Sequence, residues 1–392
     1  MKKITFVIPS RNNLEFLKLA YKSIRNLGKV CEFEIMEYGL SNTNHDILIL
    51  NDASTDGTKE WIESLNDPDL LEYHNPGPER IGIVGMFDKG IEMARTDIIF
   101  AYHADMVAAP DLDKNILKHL KPKTVVSATR VEPPLHPPGP EKITQDFGIE
   151  ADEFKEKEWL EWNKTYIPSL NTTEGIFAPW CMYKEDFFEV GGHDELFAPQ
   201  SKEDSDLFNR FQLAGYKFIQ PWDARVYHFT SRGSRFNKHA GGAAGKNSDE
   251  WLYTTNKNMR NFVRKWGHVV KHDSYMKPIV PPKYNIGFVV HNSNDQILYH
   301  LEPWCDDIFI DHNGMKYIME EDKHTKYDIV KKVHNIEDEK YNDILIEFDA
   351  RQIDQENFYY IQEMASILEQ SELEQGEKFE LGAFKIHVKK WN

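Results

Sequence analysis

Asp46-Ile-Leu-Ile-Leu-Asn-Asp-Ala-Ser-Thr-Asp-Gly-Thr58 decides how this chain is read. A short apolar run breaks off into Asp52, Ser54, Asp56, Gly57 and Thr58. Such a run reads as a buried parallel strand that delivers acidic side chains to the carboxyl edge of a sheet. Ligands of open α/β sheets bind at that edge. Paired aspartates there suit a polar, hydroxyl-rich ligand such as a nucleoside. Helix capping accounts for Asp56 but not for Asp52, which stands where a carboxylate accepts hydrogen bonds from a base or ribose.

Working outward, residues 4–8 read as a strand and 14–27 as an amphipathic helix, with Asn12 or Asn13 near its cap. A helix over 58–65, another over 83–94, and strands over 97–101 and 124–129 follow. This alternation predicts an α/β fold, a mainly parallel sheet with helices on both faces. Residues 131–171 break the rhythm with Glu132-Pro-Pro-Leu-His-Pro-Pro-Gly-Pro140 and read as an insertion beside the site, with a surface helix over 152–162. A second break at Lys277-Pro-Ile-Val-Pro-Pro282 divides the chain into an expected first domain, 1–275, and a smaller C-terminal α+β domain, 283–392. No convincing internal repeat is legible.

Four further signals follow in order. Pro9-Ser-Arg-Asn-Asn13 ends the first strand, and Arg11 there suits a phosphate or carboxylate. Residues 98–111 run an apolar strand into His103 and Asp105, which alternation puts on one face. An imidazole and a carboxylate so placed suit a divalent cation shared with a diphosphate. Gly191-Gly-His-Asp-Glu195 precedes a helix opened by Glu203, Asp204 and Asp206. Acidic residues are favoured at a helix N-terminus for electrostatic reasons alone. The functional reading makes one of them a general base. Ala224-Arg-Val-Tyr-His228 is a strand ending near a histidine, and Arg232, Arg235 and Lys246 form a basic cluster among glycines that suits a flap over phosphates.

The 392 residues carry a formal net charge of -17, which opposes binding to nucleic acid. Cys31, Cys181 and Cys305 show neither zinc spacing nor a disulfide framework, so a cytoplasmic setting is expected. No run is long and apolar enough to span a membrane.

Taken in order, these segments resemble glycosyltransferase family 2, which has the GT-A fold, over roughly the first two-thirds of the chain. The resemblance implies an enzyme that moves a sugar from a nucleotide diphospho-sugar to an acceptor hydroxyl with inversion, in glycan or surface polysaccharide synthesis. It assigns Pro9, Arg11, Asp52, Asp56, His103, Arg232 and Arg235 to the nucleotide-sugar. Asp105 and His228 would hold Mn2+ or Mg2+, and Asp204 would be the catalytic base. Trp180 and Glu203 fall on the acceptor side. The sequence departs from the family at His103, where an aspartate is usual, leaving open whether this ring binds metal, binds a hydroxyl or marks weakened metal dependence. A sugar-phosphate nucleotidyltransferase is the nearest alternative, though it lacks its glycine- and lysine-rich loop here; a non-catalytic nucleotide-sugar or glycan binding protein is the other. The C-terminal domain would bind acceptor, form a homo-oligomer or brace the first domain.

Overall fold

The computed structural model describes residues 2–28, 44–233 and 235–391; Cys31 lies outside them. In chain order the first unit comprises β1 Thr5–Ser10, α1 Leu14–Arg25, β2 Asp46–Asp52, α2 Thr58–Ser64, β3 Leu70–Asn75, α3 Gly82–Met93, β4 Ile98–Ala101, β5 Met106–Ala108, α4 Leu112–Leu117, β6 Thr124–Ser127, β7 Thr129–Glu132, β8 Ile143–Thr144, α5 Glu156–Thr165, β9 Thr172–Thr173, β10 Trp180–Tyr183, α6 Lys184–Glu189, α7 Glu203–Leu213, β11 Lys217–Pro221 and β12 Arg225–His228. Then come α8 Asp249–Trp266, β13 Ile286–His291, α9 Asp295–Leu301, β14 Asp307–Ile310, α10 Met315–Glu321, α11 Ile329–Lys332, β15 Val333–Asn335, β16 Ile344–Asp349, α12 Gln355–Gln370, β17 Lys378–Leu381 and β18 Phe384–Val388.

The first sheet runs β3-β2-β1-β4-β10-β6-β11-β9. Strands β3, β2, β1 and β4 are parallel, and β10 runs against β4 and β6. Helices cover both faces. Phe6 and Ile8 pack with Leu17, Ala20 and Ile24 of α1, while Val7, Leu48 and Leu50 pack with Met86, Phe87 and Ile91 of α3. The expected α/β class is therefore seen, and β3 is an added strand. The predicted strand over 124–129 is two, β6 and β7, which part company into different sheets. The second sheet, β5-β12-β7-β8, carries β12 against β5 and β7.

The insertion is anchored by aromatic rings. Trp159 of α5 is fully buried among Phe147, Tyr227 and Phe229, so this helix is only partly a surface one. The Tyr227 hydroxyl accepts from Phe147 N–H at 3.1 Å and donates to Gly148 O at 2.6 Å.

Compactness divides the chain into Met1–Thr254 with His272–Ile279, and Thr255–Lys271 with Val280–Asn392. Residues 255–271, expected in the first domain, pack with the second. Arg264 of α8 donates to Glu302 at 3.1 and 2.5 Å, and Lys332 lies 2.7 Å from the same carboxylate. Burial raises the Glu302 carboxyl, but Lys332 and Arg264 overcome it and hold the group below the usual range.

The second unit's sheet runs β15-β14-β13-β16-β18-β17, with the first four strands parallel and β18 reversed. That is the order and sense of β3-β2-β1-β4-β10. The sequence shows no convincing repeat, yet the two sheets share this strand order. Helices α9, α10 and α12 pack on one face, against Phe288, Val290, Ile310 and Ile346. Only eight residues, 336–343, join β15 to β16, where the first unit inserts α3. Among the described residues no helix is long and apolar enough to cross a membrane.

Candidate functional site

The site lies at the carboxyl edge of the first sheet. A cleft of about 110 Å³ there is lined by Pro9, Ser10, Arg11, Asn13, Asp52, Arg80, Gly82, His103, Asp105, Gln200 and Ser231, among others. Segments from β1, β2, β4, the approach to α7 and the turn after β12 meet in it. Ser10 Oγ, Arg11 Nη1 and Asn13 Nδ2 are buried without a hydrogen-bond partner among the described residues. Buried polar groups are rarely left so, and a polar ligand in the cleft would satisfy them.

The backbone around it is strained. Asn12, Ala53, Ser201, Lys202, Thr230 and Ser231 all have positive φ, between 49° and 78°. Each such residue costs about 1–3 kcal/mol, a burden that concentrates at functional sites. Gly82, at φ 87°, is required by contact as well, since a Cβ there would meet Pro199 at 2.4 Å.

Asp52 is 4% exposed and already hydrogen-bonded. Oδ1 accepts from Asn75 Nδ2 at 2.7 Å and Ile81 N–H at 2.8 Å, and Oδ2 accepts from Gly82 N–H at 2.8 Å. It therefore anchors the start of α3 while keeping an edge on the cleft. Asp56 stands outside the cleft, which corrects its assignment to the donor. Its Oδ2 accepts from Leu14 N–H at 2.9 Å, capping α1 from a distant loop, and its Oδ1 accepts from Thr58 Oγ1 at 2.5 Å.

His103, Asp105 and His228 bring one ligand atom each within 4.8 Å of one another. His228 Nε2 lies 3.7 Å from Asp105 Oδ2. Its Nδ1 is 2.8 Å from Glu132 Oε1, which fixes the ring and leaves Nε2 turned toward Asp105. Burial raises the Glu132 carboxyl, but Arg130, the bond to His228 and Lys142 together hold it well below the carboxylate range. Burial lowers the His103 imidazole, against the opposing pull of Asp105 and Asp204, so its lone pair is available near neutral pH. Two imidazoles and one carboxylate, with the orienting Glu132 behind, fit a divalent metal with Mn2+-like tolerance for nitrogen. Glu132 sits among prolines in the sequence and gave no signal of this role.

Asp204, in the first turn of α7, lies near enough to His103 for its charge to be felt there. Its neighbour Glu203 is buried, with Oε2 unpartnered among the described residues. Burial, helped by the charge of Asp204, pushes Glu203 up to about 8. Glu203, expected on the acceptor side, is thus a buried group that favours its neutral form.

Three other assignments are corrected. Trp180 is 1% exposed in β10 and packs against Phe187 and Phe211, so it belongs to the core. Arg232 turns its guanidinium to Ile149 O at 2.5 Å and toward Glu150 at 3.4 Å; what reaches Asp105 is its backbone N–H, at 2.7 Å. It borders a neighbouring hollow of about 660 Å³ with Phe16 and Lys238. Arg235 donates to Asn247 Oδ1 at 2.6 Å and lies over Trp251. Neither arginine lines the cleft. Arg80, which the sequence reading passed over, does line it. It pairs with Glu250 at 2.6 Å, and burial lowers its pKa, with the neighbouring charge of Arg11 acting in the same direction. The Gly191-Gly-His-Asp-Glu segment is a clamp: His193 binds Asp88 of α3 through Nδ1 at 2.6 Å, and Asp194 caps Leu196 N–H at 2.9 Å.

Residues 5–183 match the family model described as Glycosyl transferase family 2. No curated protein sequence matches the chain. Among solved structures it is similar to GalNAc-T7 with UDP, GalNAc and Mn2+ (TM-score 0.41, 11% identity, 58% of this chain and 43% of that one). It is similar to S. aureus TarS 1-349 with UDP (0.39, 11%, 57% and 60%). A third is the mannosyltransferase PcManGT from Pyrobaculum calidifontis with GDP-Man and Mn2+ (0.41, 17%, 67% and 63%). The chain thus spans 43% to 63% of the length of these structures. The family match takes in β1, β2, β4 and the His103–Asp105 edge, so over residues 5–183 the chain is similar to glycosyl transferase family 2.

Proposed function

We propose that the chain is a metal-dependent, inverting glycosyltransferase that moves a sugar from a nucleotide diphospho-sugar to an acceptor hydroxyl. The observation that carries this reading is the meeting of His103, Asp105 and His228 at the edge of a cleft whose wall holds Asp52 and two arginines. Mn2+ or Mg2+ held by these three side chains would neutralise charge that grows on the departing diphosphate. Arg11 and Arg80 are the cleft's own cations, and they fit the donor better than Arg232 and Arg235 do. Ser10 Oγ, Arg11 Nη1 and Asn13 Nδ2, unpartnered among the described residues, would supply donors to the nucleotide.

Asp204 acts as the general base. It takes the proton of the acceptor hydroxyl while that oxygen attacks the anomeric carbon and the bond to the diphosphate breaks on the opposite side. One displacement inverts the anomeric centre. Glu203 beside it is buried, and burial together with the charge of Asp204 favours its neutral form. We assign the acceptor to glycan or surface polysaccharide chemistry, in the cytoplasm, where buried Cys181 and Cys305 stay as thiols.

The test pairs a thermal-shift series using UDP or GDP, with and without Mn2+, with transfer assays read by NMR at the anomeric proton. Stabilisation by one nucleotide only when metal is present, and an inverted product, support the reading. Release of pyrophosphate from a nucleoside triphosphate and a sugar phosphate would replace it with a nucleotidyltransferase.

A further inference from the structure

The two parallel sheets share more than strand order. In the first, Thr5 stands beside Asp46 and Ile99; in the second, Gly287 stands beside Asp307 and Leu345. Ile47 stands beside Leu70, and Ile308 beside Val333. Trp180 runs against Ala101, and Lys385 against Glu347. These pairings map five strands onto five without a one-residue slip. The strands pair as an open series, so one matched position carries the correspondence from each strand to the next and fixes which residues are compared.

The sequences agree once this register is imposed. Ile4-Thr-Phe-Val-Ile8 falls on Ile286-Gly-Phe-Val-Val290, and Asp46-Ile-Leu-Ile49 on Asp307-Ile-Phe-Ile310. Asp97-Ile-Ile-Phe-Ala-Tyr-His-Ala-Asp105 falls on Asp343-Ile-Leu-Ile-Glu-Phe-Asp-Ala-Arg351. His103 thus corresponds to Asp349, and Asp105 to Arg351.

We propose that the C-terminal unit is a second copy of the donor-binding half of the fold, in which the Arg351 guanidinium has taken the place of the metal ion. Arg351 Nε lies 3.0 and 3.1 Å from the two Asp349 oxygens, and Nη2 lies 2.5 Å from Oδ2. A cation thus stands where the first sheet has the Asp105 carboxylate, and it is paired with the carboxylate at the position of His103. The rest of the edge is also satisfied from within. Asp349 accepts from Asn292 Nδ2 at 2.9 Å, and Asp311 accepts from Asn292 and Ser293 N–H at 2.6 and 2.9 Å. The copy therefore binds neither divalent metal nor nucleoside diphosphate, and its metal position is latent: a carboxylate at 351 would sit two residues from Asp349, near the same strand end.

The inference rests in part on the reading of the first site as a metal centre, and the test separates the two. Mn2+ binding to the full chain is counted by electron paramagnetic resonance of the free ion. The wild type should bind one ion, Asp105→Asn none, and Arg351→Asp two, the second more weakly. The double variant should retain only the weak one. Arg351 is 72% exposed, so its replacement leaves the fold intact, and circular dichroism checks this. No ion on the wild type sinks the metal reading of the first site alone. An ion that persists in Asp105→Asn, or an unchanged count in Arg351→Asp, overturns the latent second site.

Discussion

The carboxyl edges of the two sheets are built on one strand plan and treat their polar groups in opposite ways. Among the described residues the first edge leaves Ser10 Oγ, Arg11 Nη1 and Asn13 Nδ2 buried and unpartnered, and holds six non-glycine residues at positive φ. The second closes its edge with Asp349–Arg351 and with Asp311 on two backbone amides. An edge that satisfies itself has little to offer a ligand. An edge that leaves buried donors unpaired holds interaction free energy in reserve for one. The contrast teaches that function here resides in what the sheet's edge leaves undone rather than in the sheet.

The strongest way to break this contrast is to remove the proposed base. Asp204→Asn should lower transfer by a factor of about a hundred to ten thousand, with nucleotide binding nearly unchanged in a thermal-shift assay. Equal turnover would mean that α7 contributes no base. The second unit should respond in stability instead. Glu302→Ala leaves Arg264 and Lys332 facing each other without their buried carboxylate. A loss of about 3–5 kcal/mol is expected in chemical denaturation, while Mn2+ affinity of the first unit stays put.

A finer probe is Glu132→Gln, which keeps the shape but weakens the hold on His228 Nδ1. Mn2+ affinity should fall by about 10–100-fold, read by calorimetry, with little change in the melting temperature. An unaltered affinity would detach Glu132 from the metal centre. The smallest effect belongs to pH. Glu203 titrates at about 8 in the fold against an ordinary 4.5. Across that window the folded chain holds a proton that the unfolded chain releases, so stability falls as pH rises toward 8. Glu203→Gln should flatten that part of the pH–stability curve, and an identical slope in the variant would show that the proton sits elsewhere.

Much of the first edge was legible because strands announce their ends. Asp52, His103, Asp105 and His228 each follow an apolar run, and the structure brings the last three together. Their partners were not legible. Glu132 and Arg80 stand beside prolines in segments that read as loops, and only the folded chain shows His228 and Arg11 beside them. Arg232 and Arg235 matched a flap in composition, but Glu150 and Asn247 claim their guanidinium groups. Trp180 lies in β10, whose side chains alternate between two covered faces, a burial that residue type does not declare. The second copy stayed hidden because its helices and connections differ in length from the first, while strands carry too few residues to align without their pairing.

Tyr227 gives the insertion its last consequence. It precedes His228 on β12, and its hydroxyl is shared between Phe147 and Gly148. The proline-rich excursion is thereby moored to the very strand that positions an imidazole of the site. Loop grafts that alter its outer reach keep His228 where it is only while that phenol keeps both backbone partners, so a change in the excursion and a shift of that imidazole would travel together.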